Sequence, residues 1–271
     1  MKKTTLVLVM AISLANAYGQ KLPKIQTTSV RAPQNIKIDG KITEWNDQFQ
    51  AHNTGNHIYY TVSNDDSNLY LTVRMEDLLG SRKIFKGGLS FSILPSSKTA
   101  DKLMITFPAI GKAIMDTEER GGTPLLRYRA LTKAKPTATN KAKIDSLISS
   151  ANKAIGKTYK QIYITGMPGI TDSLLSIYNT QEITVGAGFD KSMNYTYELA
   201  VPLKYLQAAI SDVKSLKYNI KLHTISPIQM KIALSKPPTV LTVVGSFQPG
   251  SMDDMFFYED TDFSGEYTLA K

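Results

Sequence analysis

Short segments of alternating apolar and polar residues, separated by turn-forming residues, constrain the fold of this chain most. In residues 69–75 (LYLTVRM), every second side chain from Leu69 to Met75 is apolar. Because successive side chains of a strand point to opposite faces, this period of two predicts a half-buried strand. The segment before it, residues 57–62 (HIYYTV), is joined to it by the turn-forming residues 63–68 (SNDDSN). The pair is typical of a β-hairpin.

Comparable segments recur along the chain. They predict strands at 88–94, 102–107, 161–165, 195–201, 218–225, 239–244 and 266–269. Many short strands with turns between them favour an all-β fold, an antiparallel β-sandwich.

One stretch, residues 137–157, has helical rather than strand periodicity. Its apolar residues recur at helical spacing, with lysines on the opposite face. These apolar residues are Ile144, Leu147, Ile148, Ala151 and Ile155. The pattern predicts one amphipathic helix, in an insertion near residues 110–180, that packs on the sandwich. A partner-binding helix is the alternative.

The N-terminal residues have the pattern of a signal peptide. Lys2 and Lys3 precede an apolar run at 6–14 and two candidate small-residue cleavage sites, at 15–17 and at 17–19. The run is too short to span a bilayer, and no other run reaches the roughly 18 apolar residues that a span needs. We therefore expect a signal peptide at 1–19, a single domain at 20–271, and a secreted or periplasmic protein without a membrane span.

Charge and cysteine content exclude several classes of function. The formal net charge is +9, or +7 without Lys2 and Lys3, and the lysines are spread along the chain. Without clustering, such charge indicates a solvated surface, and we expect no nucleic-acid partner. The chain has no cysteine, which excludes disulfides and thiolate metal sites. Oligomeric state stays open.

Four motifs occur in an order that resembles a known family. They are IKIDGKITEW at 36–45, VSNDDSNLYLTV at 62–73, YTYELAVPL at 195–203 and FSGEYTL at 263–269. Together they resemble the family 9 carbohydrate-binding modules and the related DOMON-type sugar and haem domains. The resemblance implies a β-sandwich of jelly-roll type and a carbohydrate partner. Residues 76–194 lie outside it.

Trp45 is the single tryptophan of the chain and follows the turn at Asp39 and Gly40. The resemblance implies that Asp39, Gly40 and Trp45 belong to the scaffold. Folding of Trp45 onto Ile42 and Phe49 would bury a large apolar area at one end of the sandwich. A sugar-binding platform at Trp45 is the alternative interpretation.

The hairpin provides the candidate ligand-binding residues. Asp65, Asp66 and Asn68 offer carboxylate and amide groups for sugar hydroxyls, and Tyr59, Tyr60 and Tyr70 offer rings for stacking. Tyr59 and Tyr60 must point to opposite faces of the sheet. Tyr70 is on the polar side of its strand and is expected to be the most exposed of the three rings.

Other chemistry is sparse in the sequence. Asp260 and Asp262 alternate near the C-terminus and are candidate calcium ligands, because calcium prefers oxygens supplied by such segments. No catalytic motif is present, and His52, His57 and His223 have no metal-binding spacing. We expect no catalytic residues, and no cofactor other than calcium.

The sequence thus favours an exported, non-catalytic carbohydrate-binding protein that is accessory to polysaccharide use. A structural or interaction protein of the cell envelope and a glycoside-processing enzyme are the alternatives.

Overall fold

The computed structural model describes residues 21–95, 102–110, 124–134, 136–211, 213–235, 256 and 258–271. The expected signal peptide and the strand expected at 239–244 lie outside these residues. Within them, eleven strands form two antiparallel sheets. The five-stranded sheet has the order β1 (Ala51–Asn53), β2 (Ile58–Asn64), β3 (Asn68–Met75), β9 (Tyr195–Pro202), β8 (Thr184–Phe189). The six-stranded sheet has the order β11 (Thr261–Thr268), β10 (Ser215–Leu222), β4 (Leu89–Leu94), β5 (Leu103–Phe107), β6 (Gln161–Thr165), β7 (Leu174–Ser176).

Four α-helices and three short 3₁₀ helices complete the described elements. The α-helices are α1 (Leu78–Gly87), α2 (Pro124–Lys133), α3 (Ala138–Thr158) and α4 (Pro227–Ser235). The 3₁₀ helices are Ile42–Trp45, Leu203–Tyr205 and Gln207–Ala209. None of the described helices is long and apolar enough to cross a membrane.

The two sheets face each other across one apolar core, so the expectation of a mostly-β, sandwich-like fold is confirmed. Tyr60 on β2 meets Tyr218 on β10, with their hydroxyl oxygens 3.1 Å apart. Phe107 on β5 and Tyr197 on β9 bring their ring centroids within 6.4 Å. The predicted hairpin is also present, because β2 pairs with β3 in antiparallel register.

The helix predicted at 137–157 is α3. Thr137 caps it by accepting the backbone N–H of Asn140 at 3.1 Å, and Ile148, Ala151 and Ile155 are buried. The side-chain amide of Asn152 exchanges two hydrogen bonds with the backbone of Phe189, at 2.6 and 2.9 Å. Because β8 is an edge strand, this contact covers an edge that would otherwise leave its backbone groups unpaired.

Helix α1 was not predicted. Asp77 begins it, since its carboxylate accepts the N–H of Gly80 at 3.2 Å and its carbonyl accepts the N–H of Ser81 at 3.1 Å. Ile84 and Phe85 then place their side chains in the core. In the sequence, the available signal for this helix was Asp77 as an N-terminal cap, followed by the apolar residues Ile84 and Phe85.

The two ends of the described chain meet beside the hairpin. The hydroxyl of Tyr267 lies 2.8 Å from both the carbonyl oxygen of Val30 and Oδ1 of Asn64. The same Oδ1 accepts the backbone N–H of Ala270 at 2.7 Å. Segments from residue 30, residue 64 and residue 270 are thereby held together.

Candidate functional site

The turn of the β2–β3 hairpin is organised by Asp65. Its Oδ1 accepts the backbone N–H groups of Ser67 and Asn68, both at 2.7 Å, and its Oδ2 accepts the hydroxyl of Tyr70 at 2.6 Å. Burial opposes ionisation of Asp65, but these hydrogen bonds outweigh it and lower the pKa of the carboxyl. Asp65 therefore shapes the turn, and its carboxylate is engaged within the protein.

The expectation that Tyr70 is exposed is wrong. Tyr70 is 5% exposed, and burial together with the neighbouring Asp65 raises the pKa of its phenol to about 12. Alternation along β3 does place Tyr70 on the outer face, but residues 33–49, here called the crossing segment, lie over that face. Ile36 and Ile38 of the crossing segment border the same groove as Tyr70.

The crossing segment is anchored at the turn formed by Asp39 and Gly40. The buried carboxyl group of Glu198 on β9 accepts the N–H of Asp39 at 3.2 Å and of Gly40 at 3.0 Å. Thr196 donates its hydroxyl to the carbonyl of Gly40 at 2.6 Å. Gly40 has a φ of +79°, and a Cβ there would lie 2.7 Å from the backbone of Ala187, so both the turn and its close approach require glycine.

Trp45 lies further along the crossing segment. It is 6% exposed and packs with Ile42 and Phe49 in a small apolar cluster separate from the main core. Phe49 continues this cluster onto the sheet, where its ring centroid is 5.9 Å from that of Tyr59. Trp45 thus fills the space between the crossing segment and the sheet and offers no open ring face.

Tyr59 and Tyr60 are on opposite faces of β2, as the alternation requires. Tyr60 is fully buried in the main core. Tyr59 is half-buried on the outer face, stacked on His52 with ring centroids 4.0 Å apart, and the guanidinium of Arg74 lies 5.1 Å from its ring centroid. Neither tyrosine borders the groove described next, so the structure separates these two candidates from Asp66, Asn68 and Tyr70.

An open groove of about 670 Å³ lies at the hairpin end of the outer face of the five-stranded sheet. It is bordered by the hairpin, the crossing segment, the start of β8 and the chain after β9. The residues that line it are Ile36, Ile38, Asp66, Ser67, Asn68, Tyr70, Glu182, Thr184, Ala200, Pro202, Leu203, Lys204 and Gln207. Three of the six predicted ligand-binding residues, Asp66, Asn68 and Tyr70, are therefore brought together.

Two ion pairs stand at the rim of the groove. Asp66 accepts a hydrogen bond from the guanidinium of Arg31 at 2.8 Å, and Lys204 pairs with Glu182 at 2.5 Å. The Asp66 side chain is 91% exposed, so its charge is well solvated and the pair contributes little stability. Polar groups thus surround the mouth of the groove, while isoleucine, leucine and alanine side chains supply apolar lining.

Sequence reasoning missed Glu182, Lys204, Ile36 and Ile38. The two isoleucines alternate within the motif at 36–45, and this alternation was the available signal for one face of the crossing segment. Glu182 and Lys204 are 22 residues apart in the chain and meet only through the pairing of β8 with β9. No local pattern indicates that contact.

The predicted calcium ligands bind protein groups in the structure. Oδ1 of Asp260 accepts the N–H of Thr224 at 2.8 Å, and its Oδ2 lies 3.0 Å from Nζ of Lys221. Burial disfavours the Asp260 anion, but these donors dominate and lower its pKa to about 2. Asp262 accepts a hydrogen bond from the side chain of Asn219 at 2.7 Å. Among the described residues, no group of three or more histidine, aspartate or glutamate side chains is placed to hold a metal ion.

Exposed aromatic rings are found elsewhere on the described surface. Tyr178 is 76% and Tyr258 is 49% exposed, and neither lines the groove. Two further aromatic residues are less accessible, since Phe85 is buried and Tyr128 is half-buried. A ligand in the groove would therefore meet aliphatic side chains and the edge of Tyr70 instead of an open ring face.

Comparisons with known proteins give no match: no protein-family model, no curated protein and no solved structure is similar to this chain.

Proposed function

We propose that the protein is an exported, carbohydrate-binding β-sandwich of jelly-roll type, accessory to polysaccharide use, and that the groove beside the hairpin receives the glycan. The observation that carries the proposal is the combination of exposed polar groups and apolar lining in one open groove. Sugars present hydroxyls at their edges and C–H groups on their faces, so a binding site needs both kinds of surface. The signal-type residues at 1–19 support export.

Asp66, Asn68 and Gln207 supply the polar contacts in this proposal. Their carboxylate and amide groups are planar and can bond two neighbouring hydroxyls of one sugar at the same time. Ile36 and Ile38 supply the apolar contact with a sugar face. Because aliphatic side chains replace a stacked ring, we expect weak binding, with a Kd of about 1 mM, which corresponds to about 4 kcal/mol.

An interaction protein of the envelope is the second candidate, and one observation favours it. A separate apolar groove of about 400 Å³ lies where β4, β5 and the chain after β6 meet, with Ile93, Met167 and Tyr205 among its lining residues. Such a surface suits an apolar side chain of a protein partner better than a sugar.

Isothermal titration of the mature chain with neutral oligosaccharides tests the first candidate. We expect saturable binding at millimolar sugar and at least fivefold weaker binding by Asp66→Ala. Asp145→Ala is the matched control, because Asp145 is an exposed aspartate on α3 that does not line the groove. Absence of binding across the panel at millimolar sugar, or equal binding by Asp66→Ala and wild type, would reject the glycan site and leave the interaction protein as the better candidate.

A further inference from the structure

A row of hydroxyl side chains lies on the outer face of the six-stranded sheet, on the opposite side of the protein from the groove. On β4, Leu89, Phe91 and Ile93 enter the core, and Ser90 and Ser92 therefore point outward. Ser90 lies directly opposite Lys221 on β10 and opposite Thr106 on β5. Both flanking strands thus place polar side chains beside the Ser90 hydroxyl.

Three of the side chains in this region form a connected series. Oγ of Ser90 lies 2.7 Å from Nε2 of His223, and Nδ1 of His223 lies 3.3 Å from Oδ2 of Asp260. A nucleophile, a base and a group that orients the base are arranged in the same way in hydrolases of unrelated folds. The three residues are far apart in the chain, so no sequence motif indicates them.

The hydrogen bonds around this series define which group donates and which accepts at each contact. Asp260 accepts a hydrogen bond from Nδ1–H of His223. The other ring nitrogen, Nε2, is then the acceptor that faces Ser90. Thr106 Oγ1 lies 2.5 Å from Ser90 Oγ and can donate to it while Ser90 donates to the imidazole. Asp260 is itself held by Thr224 and Lys221.

The charge around His223 suits a general base. Burial lowers the pKa of its imidazole, with a smaller opposing effect from Asp260 and a further lowering by Lys221. The ring is therefore neutral at pH 7 and able to take a proton. Lys221, across the ladder from Ser90, is paired with Asp260, with its Nζ 3.0 Å from Oδ2.

We propose that Ser90, His223 and Asp260 form a hydrolytic triad that acts on small carboxylic esters. Ser90 Oγ attacks the ester carbonyl carbon while its proton passes to Nε2 of His223. The bond from that carbon to the alkoxy oxygen then breaks, and the alcohol leaves with the proton from His223. Water repeats the sequence on the acyl-serine, which releases the carboxylic acid and restores Ser90. Asp260 and Thr106 are positioning residues.

Burial sets the size of the substrate. Ser90 is 1% and His223 is 7% exposed, whereas the Asp260 side chain is 37% exposed. Side chains this buried leave little room for a substrate, so we expect acetyl esters to react and long-chain esters to be excluded.

Mass spectrometry of the folded mature chain with diisopropyl fluorophosphate, a small serine-reactive reagent, tests the triad directly. We expect one adduct, on the peptide that contains Ser90, and hydrolysis of p-nitrophenyl acetate at a rate at least 100-fold above that of Ser90→Ala. His223→Gln should slow both reactions at least 100-fold, because Nε2 no longer takes the proton. Asp260→Asn should slow ester hydrolysis at least tenfold, because it orients the imidazole less well.

Ser92→Ala is the matched control. Ser92 is the next outward residue of β4, is also 1% exposed, and has a hydroxyl with no hydrogen-bond partner among the described residues. Ser92→Ala should be labelled by the reagent and should hydrolyse p-nitrophenyl acetate as the wild type does. Circular dichroism and Tm measurements confirm that each variant folds. Absence of an adduct on Ser90 in the folded wild type overturns the proposal without any variant, and so does equal hydrolysis by wild type and Ser90→Ala.

Discussion

Replacement of Glu198 by glutamine should make the stability of the protein less dependent on pH. Glu198 is fully buried, and only its Oε2 has hydrogen-bond donors among the described residues, the N–H groups of Asp39 and Gly40. Burial raises the pKa of the carboxyl to about 8, against the smaller opposing effect of those two donors. Near neutral pH the folded chain therefore holds a proton on Glu198 that the unfolded chain releases.

The sign and size follow from linkage between proton binding and folding. Because the folded pKa is raised, the stability that the bound proton contributes is complete below about pH 4.5, the ordinary pKa, and is lost as the pH rises through about 8. At about 1.4 kcal/mol for each tenfold change in acid dissociation, the loss between pH 5 and pH 9 is about 4 kcal/mol. Glutamine carries no charge at either pH and avoids this loss.

Urea unfolding of wild type and Glu198→Gln at pH 5, 7 and 9 measures the effect. The glutamine NH₂ replaces Oε1, which has no partner among the described residues, so a constant penalty of about 1–3 kcal/mol is expected at every pH. The informative quantity is the change with pH of the stability difference between the two proteins, since other titrating groups cancel in it. From pH 5 to pH 9, the free energy of unfolding of the variant should rise relative to that of the wild type by about 4 kcal/mol.

A stability difference that stays constant between pH 5 and pH 9 would refute this reasoning. It would mean that the carboxylate at position 198 is ionised in the folded protein throughout. In that case the turn at Asp39 and Gly40 would be held by an anion, and glutamine would simply weaken the two hydrogen bonds.

Four further substitutions test the packing and the cap of α3. Trp45→Ala should lower the free energy of unfolding by about 3–5 kcal/mol in urea melts, because it empties the space under the crossing segment; an unchanged midpoint would show that the indole is not packed. Gly186→Ala should cost about 1–3 kcal/mol, since its Cβ would lie 2.4 Å from the backbone nitrogen of Gly40. The same change at Gly156 on α3, where a Cβ meets nothing within 4 Å, should raise Tm by the equivalent of about 0.5–1 kcal/mol; equal effects at the two glycines would contradict the packing argument. Thr137→Ala should lower helix stability by about 1 kcal/mol, seen as faster amide hydrogen exchange in the first turn of α3, and unchanged exchange would argue against the cap.

The sequence predicted strands well where one face enters the core. Alternation in residues 69–75 gave the position of β3 and its core-facing residues, and the strand predicted at 195–201 is β9. The helical spacing of Ile148, Ala151 and Ile155 likewise placed α3. These are local signals, and each depends on residues close together in the chain.

What covers the outward faces was not predictable in the same way. All eight residues of β9 are buried, although only every second one faces the core. The crossing segment covers Thr196 and Glu198 on the outer face, and its path depends on contacts between residues more than 150 positions apart, such as Gly40 with Glu198. The expectation that Tyr70 is exposed failed because alternation identifies the outer face of a strand but not whether another segment lies on it.

The candidate site shows the same limit. Asp66 and Asn68 were found because the hairpin turn is a local feature, while Glu182 and Lys204 reach the groove through strand pairing. The series from Ser90 to His223 to Asp260 spans three segments and has no local pattern.

The contacts between residues 30, 64, 267 and 270 beside the hairpin affect the order in which parts of the protein can fold during synthesis. Val30 emerges early in synthesis, yet Tyr267, which bonds to Val30 and Asn64, and Ala270, which bonds to Asn64, emerge more than 200 residues later. Contacts so distant in sequence slow folding, because long loops must close before they form. A growing chain therefore keeps one edge of β10 unpaired until β11, residues 261–268, has been made. Loss of β11 would leave the open edge of β10 as a template for association between copies.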